Sequence, residues 1–356
     1  MASRAHQREI ESLAQWRKHL SQGVRSLRGW HIQSVDLRGE DLRRVGVSGA
    51  VFLGCLFADG VEDIVRQRGA LVFPALPELP FDPYRARLYT PEDLYAGLDN
   101  GYSATLDAIA YAWSLAPRTL DRTLATALHD HAINDAVTDF AQQRSLVGVM
   151  GGHAVTRDCA AYAAAAELGH ALARRHVVAT GGGPGAMEAA NLGAFFSAQP
   201  IEALREACTR LAEVPDFHTD ITAWAQSALK VRHELGVGVP SLGIPTWHYG
   251  DEPPNLFADH IAKYFTNSIR EQVLLDLSTA GIVVLPGSAG TLQEIFQSSC
   301  EKFYAGRDVS PMVLVGIEHW TRQLPAWPLL SSLFADLPGV VHLVDTVAEA
   351  AEIVAG

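Results

Sequence analysis

The chain has 356 residues, 48% hydrophobic and 19% charged, a globular balance that leaves no long stretch to disorder. Its 40 acidic and 28 basic side chains give a formal charge of -12, which argues against a protein that works mainly by neutralising nucleic-acid phosphates. The cysteines, Cys55, Cys159, Cys208 and Cys300, form no CxxC pair, so neither a zinc site nor a disulfide framework is indicated and no metal is expected.

The opening residues MASRAHQREIESLAQW are polar with helical spacing, unlike a signal peptide, and no apolar run approaches the ~18 residues of a membrane span. A cytoplasmic protein without membrane or nucleic-acid partners is therefore expected. Within residues 35–58, Leu37, Leu42, Val47, Phe52 and Phe57 recur at a spacing of five. That period fits neither a helix nor a simple strand. It matches either a short pentapeptide-like β-coil, with the central apolar residue of each unit inside, or an irregular hairpin. FPALPELPFDPY (73–84) reads as an extended strap, and helical patterns follow around 90–100, 104–114 and 118–142. Residues 1–140 thus form an accessory region with no obvious chemistry.

From residue 141 onward the rhythm changes. Short apolar strands are expected in SLVGVMGG (145–152), HVVAT (176–180), SLGIP (241–245), GIVVLPG (281–287), PMVLVGI (311–317) and VVHLVD (340–345), with helices between them. Continuously apolar strands alternating with helices predict an α/β, Rossmann-like parallel sheet with helices on both faces. Ligands in such sheets sit at the carboxyl ends of the strands. Residues 197–236 read as a helical insertion.

Two strand-to-helix junctions are almost bare of side chains. GGGPGA (181–186) contributes Gly181, Gly182, Gly183 and Gly185, where backbone amides and a helix start suit an anion. It also satisfies G-x-G-x-x-A through Gly181, Gly183 and Ala186, but the acid that a dinucleotide enzyme needs at the end of the next strand is missing, because that strand ends at Ile244-Pro245. The second junction, Pro286-Gly287-Ser288-Ala289-Gly290-Thr291, leads into a helix carrying Glu294. Two such loops on one sheet suit a phosphorylated sugar, with the phosphate near Ala289, Gly290 and Thr291. Thr291 and Glu294 also spell a T-x-x-E capping box, so Glu294 is either a cap or a catalyst. A pyridoxal enzyme would need a Schiff-base lysine, and none of Lys18, Lys230, Lys263 and Lys302 lies in a glycine-loop setting.

VATGGGPGAMEAANLGA (178–194), EPPN (252–255) and NSIREQVLLDLSTAGIVVLPGSAGTLQE (267–294) together resemble the LOG family of cytokinin-activating nucleoside 5'-monophosphate phosphoribohydrolases. They are closer still to its bacterial relatives, the pyrimidine/purine nucleotide 5'-monophosphate nucleosidases, often labelled lysine decarboxylases. The likeness covers about 145–304. It implies hydrolysis of the N-glycosidic bond of an AMP-like nucleoside 5'-monophosphate to free base and ribose 5-phosphate, without a cofactor, in a homodimer or larger homo-oligomer. The matching catalytic pair is Arg270 and Glu294, with Arg270 gripping phosphate or ribose and holding Glu294 ionised. Further nucleotide contacts are expected from Gly151, Gly152, Met187, Glu188, Asn255, Gly287 and Ser288. His153 is either a contact or a solvent residue, and Trp247, His248 and Tyr249 either stack on a base or pack. Two positions depart from the family pattern. Ser288 replaces a glycine, and Glu271 follows Arg270 where plant-type members have lysine. A non-catalytic nucleotide sensor, or a carrier of a phosphorylated cofactor such as the molybdenum cofactor, is the alternative on the same fold.

Overall fold

The five-residue period folds as a coil of stacked strands. The computed structural model describes residues 8–76, 78–235, 238–250, 252–305 and 309–355, in two compact units: 1–87 with 118–136, and 88–117 with 137–356. In the first, β1 (Arg8–Ile10), α1 (Leu13–Ser21), β2 (Trp30–Gln33), β3 (Val51–Leu53), α2 (Val61–Gln67) and β4 (Leu71–Phe73) follow one another, and the four strands pair in parallel in chain order. Ile32 pairs with Phe52 and Phe52 with Val72, an offset of 20 residues or four pentapeptides. The bridges Ser26–Gly46 and Asp36–Leu56 repeat that offset. Ile32, Leu37, Leu42, Val47 and Phe52 point inward and are buried, with Phe57 packed against them. Corners recur at the same interval, at Gly29, Gly49 and Gly69 (φ +74°, +74° and +88°) and at Ser34 and Gly54 (φ +54° and +63°). Glycine turns such left-handed corners without steric penalty.

Next come α3 (Pro91–Leu94), α4 (Leu106–Ser114) and α5 (Leu120–Ala141). The division expected at residue 140 is drawn differently, since 88–117 belong to the second unit. Backbone bonds explain this: Tyr89 N donates to Ile261 O at 2.9 Å and Ile261 N to Tyr89 O at 2.8 Å. On α4, buried Asp107 pairs with buried Lys263.

The second unit continues with β5 (Leu146–Met150), α6 (Ala160–Leu172), β6 (Val177–Thr180), α7 (Ala186–Phe195), α8 (Ile201–Leu211), α9 (Ile221–Leu235), β7 (Leu242–Gly243), β8 (His260–Ile261) and α10 (Asn267–Leu277). It closes with β9 (Gly281–Val284), α11 (Ala289–Ala305), β10 (Met312–Val315), α12 (Trp327–Leu333), β11 (Val341–Val344) and α13 (Val347–Ala355). Its parallel sheet has the order β11-β10-β9-β5-β6-β7-β8, the Rossmann-like α/β arrangement expected. Residues of β5, β9 and β10 are all buried, which accounts for their unbroken apolar sequences. The alanine-rich helix α6 packs backbone against α7, where a Cβ on Gly193 would stand 1.9 Å from Ala166 O. The chain leaves β5 toward β8 and then returns to the other side of β5 as β9. That reversal puts the topological switch point, the usual ligand crevice, between the carboxyl ends of β5 and β9.

Candidate functional site

Loops after β5, β6 and β9 converge at the switch point. Gly152 N donates to Pro286 O at 3.1 Å, and Ala186 N donates to Gly152 O at 3.1 Å. Bulk is excluded here: a Cβ on Gly151 would lie 2.8 Å from that of Ala186, and one on Gly185 would lie 2.5 Å from Gly152 O. Gly182 and Gly185 also take φ of +73° and +71°. Residues 181–185 are buried throughout. A polar network holds them: Gly182 N donates to Thr180 Oγ1 (3.0 Å), Thr180 Oγ1 to Asn191 Oδ1 (2.7 Å), and Asn191 Nδ2 to Ser241 Oγ (3.0 Å).

Asn255 belongs to that network. Its backbone N donates to Gly182 O at 2.8 Å, its Nδ2 to Gly183 O at 3.2 Å and Asn191 Oδ1 at 3.0 Å, and its Oδ1 accepts from Phe257 N and Ala258 N. Every polar atom of this buried amide is matched by protein. Glu188 is likewise held by protein groups. Completely buried, it takes two bonds from Arg157, at 3.1 and 2.5 Å. Arg157 in turn stacks on Trp224 at 4.4 Å and donates to Ser227 Oγ at 2.8 Å. Arg157 carried no motif in the sequence; only its pairing with Glu188, far along the chain, marks it. Met187 lies over the same loop, its Sδ 2.7 Å from where a Cβ on Gly181 would be. Trp247 packs in the interior, stacked on Phe265 at 4.4 Å with its indole N–H on Asp107 Oδ1 at 2.8 Å, whereas Tyr249 is exposed. His153 Nδ1 lies 3.1 Å from Glu252 Oε1 beside the loop.

Arg270 and Glu294 meet. Arg270, 7% exposed, donates from Nε to Ile244 O (2.7 Å) and from Nη2 to Gly181 O (3.3 Å), so it ties the ends of β6 and β7 to α10. Its Nη1 lies 2.7 Å from Glu271 Oε1 and 3.4 Å from Glu294 Oε1. The pairing does not hold Glu294 ionised. Burial pushes the Glu294 carboxyl up to about 7, and the Glu271 carboxyl adds to the rise against the opposing pull of Arg270. A carboxylic acid that titrates near neutrality can give or take a proton at physiological pH.

The loop after β9 is the open one. Ser288, Ala289 and Gly290 are exposed, and a Cβ on Gly290 would meet nothing within 4 Å. Because α11 starts at Ala289, Thr291 is its third residue and not its N-cap, so the capping-box reading of Glu294 fails. Thr291 Oγ1 instead covers Gly287, 2.1 Å from where a Cβ there would sit. Ser288 is not among the positive-φ residues, so its replacement of glycine strains nothing. The first intrahelical bond is Leu292 N to Ser288 O at 3.0 Å. The amides of Ala289, Gly290 and Thr291 lie before it and point out of the helix start, where anions bind.

Beside the loops after β5 and β6, a cavity of about 220 Å³ opens between His153, Arg157, Pro184, Glu188 and the α8–α9 connection at Asp216, Phe217 and His218. The insertion read at 197–236 therefore walls a space next to the glycine loop. Among the described residues no group of three or more His, Cys, Asp or Glu is arranged to hold a metal ion, and no helix is long and apolar enough to cross a membrane.

No protein-family model matches the chain, and no curated protein matches it in sequence. Among solved structures, the chain is similar to the molybdenum cofactor carrier protein of Chlamydomonas reinhardtii, at 22% identity over 60% of this chain and 97% of that one, with a TM-score of 0.35.

Proposed function

We propose that this protein hydrolyses the N-glycosidic bond of nucleoside 5'-monophosphates, releasing free base and ribose 5-phosphate, as the LOG-family resemblance implies. The observation that carries this reading is the buried Arg270–Glu294 contact next to an open helix start at the switch point of the sheet. The unpaired amides at the start of α11, from Ala289 to Thr291, take the phosphate. Glu294 then faces the sugar. Cleavage of a ribosyl C–N bond passes through an oxocarbenium-like sugar, as in glycoside hydrolysis. Protonated Glu294 gives its proton to the leaving base, which keeps the C–N electron pair. Water bonds to C1' and returns a proton to the Glu294 carboxylate. Arg270 positions that carboxyl and anchors it to the ends of β6 and β7. The cavity bordered by Pro184, Phe217 and His218 is the space for the base, and the working form is a homodimer or larger.

The test is incubation of pure protein with a panel of nucleoside 5'-monophosphates, with base and ribose 5-phosphate read by chromatography. Glu294→Gln is expected to lower base release by roughly 10²–10⁴-fold, the usual size of a lost general acid–base, while nucleotide still binds. A second reading, a sensor or carrier that binds a phosphorylated ligand intact, draws on the fact that Arg270 is fully engaged with protein groups. Binding without base release from any nucleotide would select it.

A further inference from the structure

Arg270 carries one positive charge, yet two carboxyl groups converge on its Nη1, from Glu271 at 2.7 Å and from Glu294 at 3.4 Å. All three are buried, with side-chain exposures of 8, 4 and 10% for Arg270, Glu271 and Glu294. If both acids were ionised, the cluster would hold an uncompensated buried negative charge, which is costly. A second observation points the same way. Glu271 Oε1 faces Arg270, with Asn267 Nδ2 3.5 Å away, but its Oε2 is buried with no hydrogen-bond partner. A buried carboxylate oxygen without a donor lacks one bond. A proton on the pair supplies both the missing charge and the missing donor.

We propose that Glu271 and Glu294 share a single proton in the resting protein, with Glu271 the positioning residue that keeps that proton on the pair. Arg270 and Glu271, both on α10, are the charged groups acting on Glu294, so the device is confined to one helix facing another. Glu271 occupies the position where plant-type members of the LOG family have lysine. A lysine there would favour the ionised form of Glu294, whereas a second carboxylate opposes it. The proton sharing stands on geometry alone; its use as the acid that protonates the leaving base rests on the reading of function given above.

The experiment is a ¹³C NMR titration of the full chain labelled at glutamate Cδ, with Glu294→Gln identifying the Glu294 resonance. Glu294 is expected to titrate near neutral pH in the wild type and at least about one pH unit lower in Glu271→Gln, the effect of removing a like charge within a few ångströms. Glu271→Asp, which keeps the carboxyl, should restore the higher midpoint. A purely structural Glu271 would leave the midpoint unmoved in Glu271→Gln. That result, or an ordinary carboxylate titration of Glu294 in the wild type, overturns the proposal. Base release is followed in parallel. With Glu294 as the acid, its decline at rising pH should move to lower pH in Glu271→Gln. If no nucleotide is cleaved, the functional reading fails while the NMR titration still decides the proton sharing.

Discussion

Residues 181–185 after β6 are buried along their length, whereas Ser288, Ala289 and Gly290 after β9 are exposed. Both loops join a parallel strand to a helix, and both are made of glycine, proline and small residues. In the first, smallness serves the protein, because added Cβ atoms would strike Arg270, Pro245 and the carbonyls of Gly152 and His153. In the second, only Gly287 is crowded, by Thr291 on the same helix, and Gly290 faces open space. A glycine loop that its neighbours already fill is architecture; one that leaves its helix amides uncovered is available to a ligand.

The largest effect should come from breaking the buried loop. In Gly185→Ala the new Cβ would stand 2.5 Å from Gly152 O and 2.6 Å from His153 O, at a φ of +71°. Neither oxygen is a flexible side-chain end, so a loss of about 3 kcal/mol or more is expected, read as a lower midpoint in denaturant unfolding. Asn255→Ala should cost about 2–3 kcal/mol, because it strands Phe257 N, Ala258 N and the carbonyl of Gly183 in the interior. Were either variant as stable as the wild type, the contrast between a filled loop and an open one would collapse.

The pH dependence of stability tests the point where the two loops are joined, at Arg270 under the first and Glu294 on the helix of the second. The Glu294 carboxyl is raised from 4.5 to about 7 in the folded protein. Its protonated form is therefore favoured by folding, so its stabilisation is complete below about pH 4.5 and is lost as pH rises through about 7. Thermal unfolding of the wild type should show a decline of roughly 1–3 kcal/mol across that interval. Glu294→Gln, which cannot ionise, should flatten it. An unchanged slope in the variant would mean that burial does not hold the proton on this group.

Much of this architecture was legible in the sequence, for reasons that differ by element. The five-residue period left a coil and an irregular hairpin open; the structure takes the coil, in which each rung places one apolar residue inward per side and the 20-residue pairing of Ile32, Phe52 and Val72 is that period counted four times. β5, β9 and β10 were visible because burial on both faces demands unbroken apolar runs. β8 was not, since two residues, His260 and Ile261, carry no periodicity. The placement of 88–117 with the sheet unit also escaped, because it depends on long-range bonds such as Tyr89 to Ile261. Within the site, Arg270 and Glu294 could be paired through the LOG-family resemblance, but the direction of the Glu294 shift could not be read from it. It depends on how deeply α10 and α11 bury Glu271 and Glu294, and a sequence reports neighbours along the chain more readily than across it. Asn255 and Glu188 were read as ligand contacts because polar residues near glycine loops suggest one. The structure gives each protein partners as well, Asn255 at Gly183 and Asn191, and Glu188 at Arg157.

The smallest effect on stability should carry the sharpest functional information. Gly290→Ala places a methyl group where nothing lies within 4 Å and where φ is not positive, on the second residue of α11. Helix propensity alone would make the variant equal to the wild type or up to about 1 kcal/mol more stable. That methyl would nevertheless project from the open helix start into the space assigned to the phosphate. Calorimetric titration with ribose 5-phosphate should therefore show weakened binding in a protein whose unfolding midpoint has not fallen. Loss of binding with stability retained separates the two loops by function as well as by surroundings. Unchanged binding would remove the phosphate from the start of α11, and with it the reason why this loop, alone of the two, was left open.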